Sequence, residues 1–379
     1  MIHPNHPPQT PLNPYKTKTW KETEMTTDME QTAAFTGQVV TDVAAAISGV
    51  MTTIGGRLGL YKAMAGAGPL SAADLAEKTS LHERYVREWL NNQTAGGYVV
   101  FDPASATYEL PDAHVPVLAV DDSPVYLVPA LEVCASLWFD RDKIESAFRS
   151  GDGIAWQDHH DSLFCGCEAL FKPGYKASLV AEWIAALDGV EGKLEAGGKI
   201  GDIGCGHGAS AILLAEAFPN SNVIGIDSHR ESIETARQRA LALENNTNLS
   251  FVQALAKGYE DTDFDLICFM DCLHDMGDPA GAARHALQAL KPGGSLLLVE
   301  PAANDGVENN INPVSRLYYA ASTGVCTPCS LSQEVGTGLG AQAGPQRLSQ
   351  VLTDAGFASV RVAARTPFNI ILEARRASA

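Results

Sequence analysis

The second half of the chain carries the strongest constraint on folding. From Lys199 to Glu373, short apolar runs of strand length alternate with longer amphipathic stretches of helical period. Such alternation builds βα units whose parallel strands are covered by the intervening helices. The runs Lys199–Ile203, Asn222–Ile226, Ser250–Gln253, Asp265–Met270 and Ser295–Glu300 predict five parallel strands. Ser359–Ala364 and Asn369–Ala374 are separated by a turn at Arg365-Thr366-Pro367, too short for a crossover, so they pair antiparallel at the edge of the sheet. The fold class is therefore α/β, with a Rossmann-like sheet of seven strands.

Two motifs sit where such a sheet holds ligands, at the C-terminal ends of its strands. The first is Gly201-Asp202-Ile203-Gly204-Cys205-Gly206-His207-Gly208, which follows the first strand and opens the helix from Ala209 to Phe218. Glycines allow a sharp turn and close approach of a ligand, and the helix start offers free N–H groups. Asp227 ends the next strand, where a carboxylate can accept hydrogen bonds from two ribose hydroxyls. The spacing is G-x-G-x-G, not the G-x-G-x-x-G of dinucleotide sites, which works against a nicotinamide-dependent oxidoreductase.

These residues resemble the class I S-adenosylmethionine-dependent methyltransferases, in which five parallel strands and a final hairpin are the usual arrangement. The resemblance implies S-adenosyl-L-methionine as cofactor. It implies that Gly204, Cys205, Gly206 and Gly208 lie along the methionine part and Asp202 near its amino group. Asp227 would hold the ribose, with Ser228 beside the adenosine and Asp271 and Cys272 also in the cofactor site.

The second motif, Asp271-Cys272-Leu273-His274-Asp275-Met276, ends the fourth strand. It resembles the His-Asp-Trp element of small-molecule O-methyltransferases, with Met276 in place of the Trp. In that family the His is the general base, and an ordinary imidazole pKa near 6.5 suits proton removal from a hydroxyl or thiol. Glu300, ending the fifth strand, matches a position that holds the His, and Asp275 is the second candidate for that part. Methyl transfer from a sulfonium is also accelerated by proximity alone, so a purely orienting or structural His274 stays open.

The long segment Asn312–Glu334, with Tyr318 and Tyr319, joins His159, His160, Phe164 and Tyr175 as the expected acceptor pocket. Cys165-x-Cys167 and Cys326-x-x-Cys329 lack the partners of a familiar zinc module, and no metal is expected.

Ahead of this unit, Val39–Met64 predicts an apolar helix expected to be buried, and Ser71 caps a short one with Asp74 three residues on. Glu83–Ala95 then sets Val86, Leu90 and Gln93 around Trp89, and two strands, Tyr98–Phe101 and Thr107–Leu110, flank a turn at Asp102-Pro103. This is the order of a winged helix. We divide the chain into a flexible tail (1–32), a winged-helix or dimerisation domain (33–123), a helical linker that covers the pocket (124–190) and the methyltransferase domain (191–379). Over most of its length, through Leu170–Tyr175 and Ser330–Glu334, the chain looks like a bacterial-type group joining these two domains.

A formal charge of -18 works against partners recognised through phosphate neutralisation, so neither nucleic acid nor an anionic membrane is expected. Val43–Gly56 is cut by Arg57 before spanning length, and no secretory leader is visible among Pro4, Pro7, Pro8, Pro11 and Pro14. Eight cysteines are too sparse for a disulfide framework, and a reducing cytoplasm fits. The expected function is methyl transfer to an O, N or S atom of a small molecule by a homodimer. The alternative is a cofactor-binding transcriptional regulator.

Overall fold

In the computed structural model, which describes residues 22–243 and 247–378, the chain forms two units, one ending at Gly49 and one running from Val50 to Ala379. The Pro4–Pro14 stretch of the expected tail lies outside the described residues. The helix α1 spans Glu22–Arg57, beginning inside the segment read as a flexible tail and running through Gly49 and the Gly55-Gly56 pair. The expected burial does not hold in the first unit: Phe35, Val43 and Ile47 are 64%, 52% and 67% exposed. Sparse charge is equally compatible with a helix whose apolar face lacks a partner. Asp28–Arg57 is also long and apolar enough to cross a membrane, because the helix starts well before Val43.

In the second unit, α1 stops at Arg57, where Gly59 at φ +71° turns the chain into α2 (Leu60–Met64). Next come α3 (Ala72–Thr79) and α4 (Glu83–Ala95), then the wing, β1 (Val100–Asp102) and β2 (Thr107–Glu109). Ser71 and Asp74 exchange the two bonds of a capping box. Leu60, Met64, Leu75, Val86 and Leu90 pack around Tyr61 and Trp89, whose rings meet edge to face at 5.0 Å. The buried Gln93 accepts from Tyr61 Oη at 2.5 Å, satisfying both polar groups inside this core.

After α5 (Val115–Leu118), which ends the winged-helix segment, the linker comprises α6 (Val128–Phe139), α7 (Arg141–Ser150) and α8 (Ser162–Ser178), continued by a π-helical turn over Leu179–Ile184. A short α9 (Val190–Gly197) leads into the sheet. Its strands are β3 (Lys199–Ile203), β4 (Asn222–Asp227), β5 (Leu249–Gln253), β6 (Phe264–Met270), β7 (Leu290–Pro301), β8 (Ser359–Arg365) and β9 (Asn369–Arg375). The order β5-β4-β3-β6-β7-β9-β8 has five parallel strands, with β9 antiparallel to both β7 and β8. The expected hairpin is present, and its second strand, not its first, docks on the parallel set.

Helices α10 (Ala209–Ala217), α11 (Arg230–Leu241), α12 (Pro279–Ala289), α13 (Pro313–Ala321), α14 (Thr327–Leu331) and α15 (Gly344–Ala355) complete the domain. Two apolar layers cover the sheet, one including Trp183 and Leu214, the other Phe269, Ala286 and Leu352. β6 is buried along nearly its whole length, as a central strand with both faces covered must be.

A tight contact ties the linker to the segment between β7 and β8. Ile154 N donates to Pro328 O at 3.0 Å, and a Cβ on Gly153 would stand 2.1 Å from Ser332 N. Backbone lies on both sides, so no side-chain shift relieves the clash. Gly153→Ala should therefore destabilise the protein by about 1–3 kcal/mol, read as a lower calorimetric melting midpoint.

Candidate active site

The ends of β3, β4, β6 and β7 converge on one edge of the sheet, and each brings a carboxylate. After β3 the loop stays tied to β4: Gly204 N donates to Ile226 O at 2.7 Å. Gly204 has φ +74°, and a Cβ there would stand 2.7 Å from Cys272 Sγ, so both backbone and space require glycine. Asp227 accepts from Gly206 N at 2.9 Å and His229 N at 2.8 Å, which fixes its carboxylate against the loop. Burial raises the Asp227 pKa, and these two amide bonds oppose the rise. Ser228 follows it on the exposed side.

Asp202 is fully buried: Oδ2 accepts from Ser210 Oγ at 2.6 Å, while Oδ1 has no hydrogen-bond partner. Desolvation pushes its pKa up to about 7, with the Ser210 bond opposing and the Asp227 charge adding to the rise. A cavity of about 110 Å³ beside the loop is lined by Gly204, Cys205, Gly206 and Ser210, and across it by Glu168, Phe171, Lys172 and Tyr175 of α8.

Glu168 was not singled out from the sequence, yet it ties α8 to the loop. It pairs with His207 Nδ1 at 2.7 Å and with the Arg239 guanidinium of α11. Burial works against its charge, but the His207 and Arg239 bonds prevail and hold its carboxyl at about 2. No motif marks Glu168, because its partners lie far along the chain.

At the end of β6, Asp271 is held from two sides, accepting from Tyr175 Oη and Asn369 Nδ2, each at 2.8 Å. Burial, followed by the nearby Glu300 charge, pushes Asp271 up to about 7. Cys272 Sγ donates to Ile203 O at 3.1 Å, tying the turn after β6 to the end of β3.

His274 and Glu300, twenty-six residues apart, meet as the sequence reading expected: Nδ1 pairs with Glu300 Oε2, and the His274 backbone N–H donates to Oε1 at 3.3 Å. Glu300 is thus the holder of the ring, and Asp275 faces the other nitrogen, with Oδ1 at 3.3 Å from Nε2. Burial alone would lower the imidazole pKa, but Glu300 and then Asp275 outweigh it and hold it well above the ordinary value. The ring is therefore a stronger proton acceptor than an ordinary histidine. Gln333 pins this turn by donating to Asp275 O at 2.9 Å and accepting from Gly277 N at 3.0 Å.

The expected acceptor residues do not form one group. His159 is buried against Asp140 at 3.0 Å, whereas His160 stacks on Phe139 at 4.0 Å. Phe164 packs between Trp156 and His229, on the Asp227 side. Tyr318 Oη donates to Phe368 O at 2.8 Å, and Tyr319 is half-buried. Among the six, Tyr175 lines the smaller cavity, and none lines a second one of about 650 Å³. Leu127, Leu131, Leu317 and Phe368 wall that larger cavity. Aromatic frequency could not separate ring packing from a pocket wall.

Residues 194–356 match a family model described as a methyltransferase domain, and residues 45–119 one described as an Rv2258c-like winged HTH domain. Among curated proteins, 27-O-demethylrifamycin SV methyltransferase of Amycolatopsis mediterranei is 35% identical over 28% of this chain and 39% of its own length. A ubiquinone biosynthesis O-methyltransferase of Erwinia tasmaniensis is 31% identical over 34% of this chain and 51% of its own. The chain thus spans about half or less of these relatives.

Among solved structures, an O-methyltransferase family protein from Burkholderia thailandensis superposes with a TM-score of 0.66 at 16% identity, covering 90% of this chain and 98% of that one. Human N-acetylserotonin methyltransferase gives 0.65 at 17%, with the same coverage. Strand order, glycine loop and both domain matches agree: the chain carries a methyltransferase domain over residues 194–356, with a winged helix-turn-helix domain over residues 45–119 in front of it.

Proposed function

We propose that the protein transfers a methyl group from S-adenosylmethionine to an O, N or S atom of a small molecule. The observation that carries this reading is the meeting, at one sheet edge, of the Gly204–Gly208 loop with its Asp227 and the His274–Glu300 pair. On this reading 191–379 is the catalytic domain, 124–190 covers the site and 33–123 is a packing module. The larger apolar cavity is of the size that takes small organic molecules.

The residues present fit the cofactor. Asp202 offers a buried, unpartnered oxygen for its amino group, and Asp227 stands where the ribose hydroxyls need an acceptor. When bound, the cofactor supplies an electrophilic methyl group on a sulfonium sulfur. Once its second ring nitrogen has released its proton to solvent, His274 takes the proton that the acceptor atom loses, Glu300 holds the ring through Nδ1, and Asp275 stabilises the imidazolium. The helices that bury this corner exclude water from it.

Eight free cysteines support a reducing cytoplasmic setting, and the exposed apolar side chains of α1 support a homodimer. Arg84 and Arg87 on α4 are paired with Glu88 and Glu83, leaving no basic face, which weighs against DNA binding and the regulator.

Calorimetry should show S-adenosylhomocysteine binding, weakened by about 1.5–3 kcal/mol in Asp227→Ala, the value of hydrogen bonds to a charged group. Tight NAD binding in its place would refute the cofactor assignment. Binding should also depend on pH. The free Asp202 carboxyl titrates at about 7 and the cofactor's ammonium favours its ionised form. Affinity should therefore be full above that pH and fall by up to about tenfold per unit below it; a flat profile, or an unchanged one in Asp202→Asn, counts against that contact. With labelled cofactor and a metabolite extract, a methylated small molecule should form. His274→Ala should lower kcat for its formation roughly a hundred- to ten-thousand-fold with S-adenosylhomocysteine affinity retained. A near-normal kcat would leave the ring a structural role.

A further inference from the structure

Around His274 stands a set of donors that proton transfer does not need. With Nδ1 engaged by Glu300, the second ring nitrogen faces Asp275 Oδ1 at 3.3 Å, and that oxygen is buried with no hydrogen-bond partner. Two acceptor atoms held this close require a proton or a cation between them. Cys326, at the π-helical turn between α13 and α14, supplies a third donor. A ring nitrogen of His274, a carboxylate oxygen of Asp275 and the Cys326 sulfur lie within 4.8 Å of one another.

The spacing discriminates among cations. Tetrahedral zinc, with bonds of about 2.0–2.1 Å to nitrogen and oxygen, sets an N···O edge of about 3.3 Å, the separation found here. Its S···N edge is about 3.6 Å, and the Cys326 sulfur stands within 4.8 Å of the other two ligand atoms. Calcium and magnesium call for six or more oxygen ligands, whereas a thiol beside an imidazole selects zinc. Glu300 on Nδ1 is the outer carboxylate that holds a ligating imidazole in the required tautomer.

We propose that His274, Asp275 and Cys326 form a zinc site with an open fourth position, and that zinc bound there withdraws His274 from proton transfer. One Zn²⁺ displaces the thiol proton of Cys326 and the proton held on the second ring nitrogen; both go to solvent, and nothing is oxidised or reduced. The binding stands on geometry alone, while the inhibition rests on the methyltransferase reading above.

Chelator-treated full-length protein should take up one equivalent of cobalt(II), giving an intense thiolate-to-cobalt charge-transfer band that zinc abolishes. Cys326→Ser should lose the band and His274→Gln should weaken binding at least tenfold, whereas Cys165→Ser, an exposed cysteine, should retain both. No thiolate band, or an unchanged band in Cys326→Ser, overturns the site. Should Cys326→Ser fail to fold, wild-type calorimetry in two buffers of different ionisation heat decides: zinc uptake must release protons, and uptake without release overturns the thiolate ligand. S-adenosylhomocysteine titrations of the same sample separate the two readings. Its binding without zinc uptake removes the metal site alone, and zinc uptake without its binding removes the cofactor assignment alone. With a methyl acceptor in hand, one equivalent of zinc should stop turnover and a chelator restore it; full turnover by the zinc-loaded protein overturns the inhibition.

Discussion

Burying carboxylates side by side is the constraint around which this fold is arranged. Asp202, Asp227, Asp271 and Glu300 stand at the ends of four strands that are neighbours in the sheet. Each would be expensive to desolvate without a partner. Each is answered differently: by a serine hydroxyl, by two backbone amides, by a tyrosine with an asparagine, and by an imidazole. The partners come from α10, the glycine loop, α8, β9 and the turn after β6, so satisfying the sheet edge also fixes the surrounding elements.

This arrangement separates chemical roles within one small volume. Asp202 and Asp271 are pushed towards neutrality by burial, while Glu168, with an arginine and a histidine beside it, stays charged. The site therefore holds carboxyls of unlike character side by side.

Much of this was legible from the sequence, for local reasons. The parallel strands are short apolar runs between helical stretches, and Gly204 and Asp227 carry signals in their own neighbourhoods. The His274–Glu300 contact could be foreseen because both positions are tied to strand ends. Glu168 and Asn369 were not foreseen, since each reaches the site through a tertiary contact with no sequence periodicity, and Cys326 stood out only within Cys326-x-x-Cys329, not beside His274. The six residues expected at the acceptor pocket do not line one cavity, and His159 and His160 satisfy local partners, Asp140 and Phe139. For α1, charge-poor composition cannot distinguish a buried helix from an exposed apolar one, and the described structure shows the second for residues before Gly49.

Helix α8 presents Glu168 and Tyr175, two turns apart, to different ends of the same site. At one end it grips the glycine loop, at the other Asp271 near His274. Evolutionary change in α8 is consequently coupled: a substitution that rotates or shifts it to suit a new acceptor also loosens the grip on the loop. Along α13 and the wall of the larger cavity, the side chains of Leu317 and Phe368 carry no such double duty, and change there is freer.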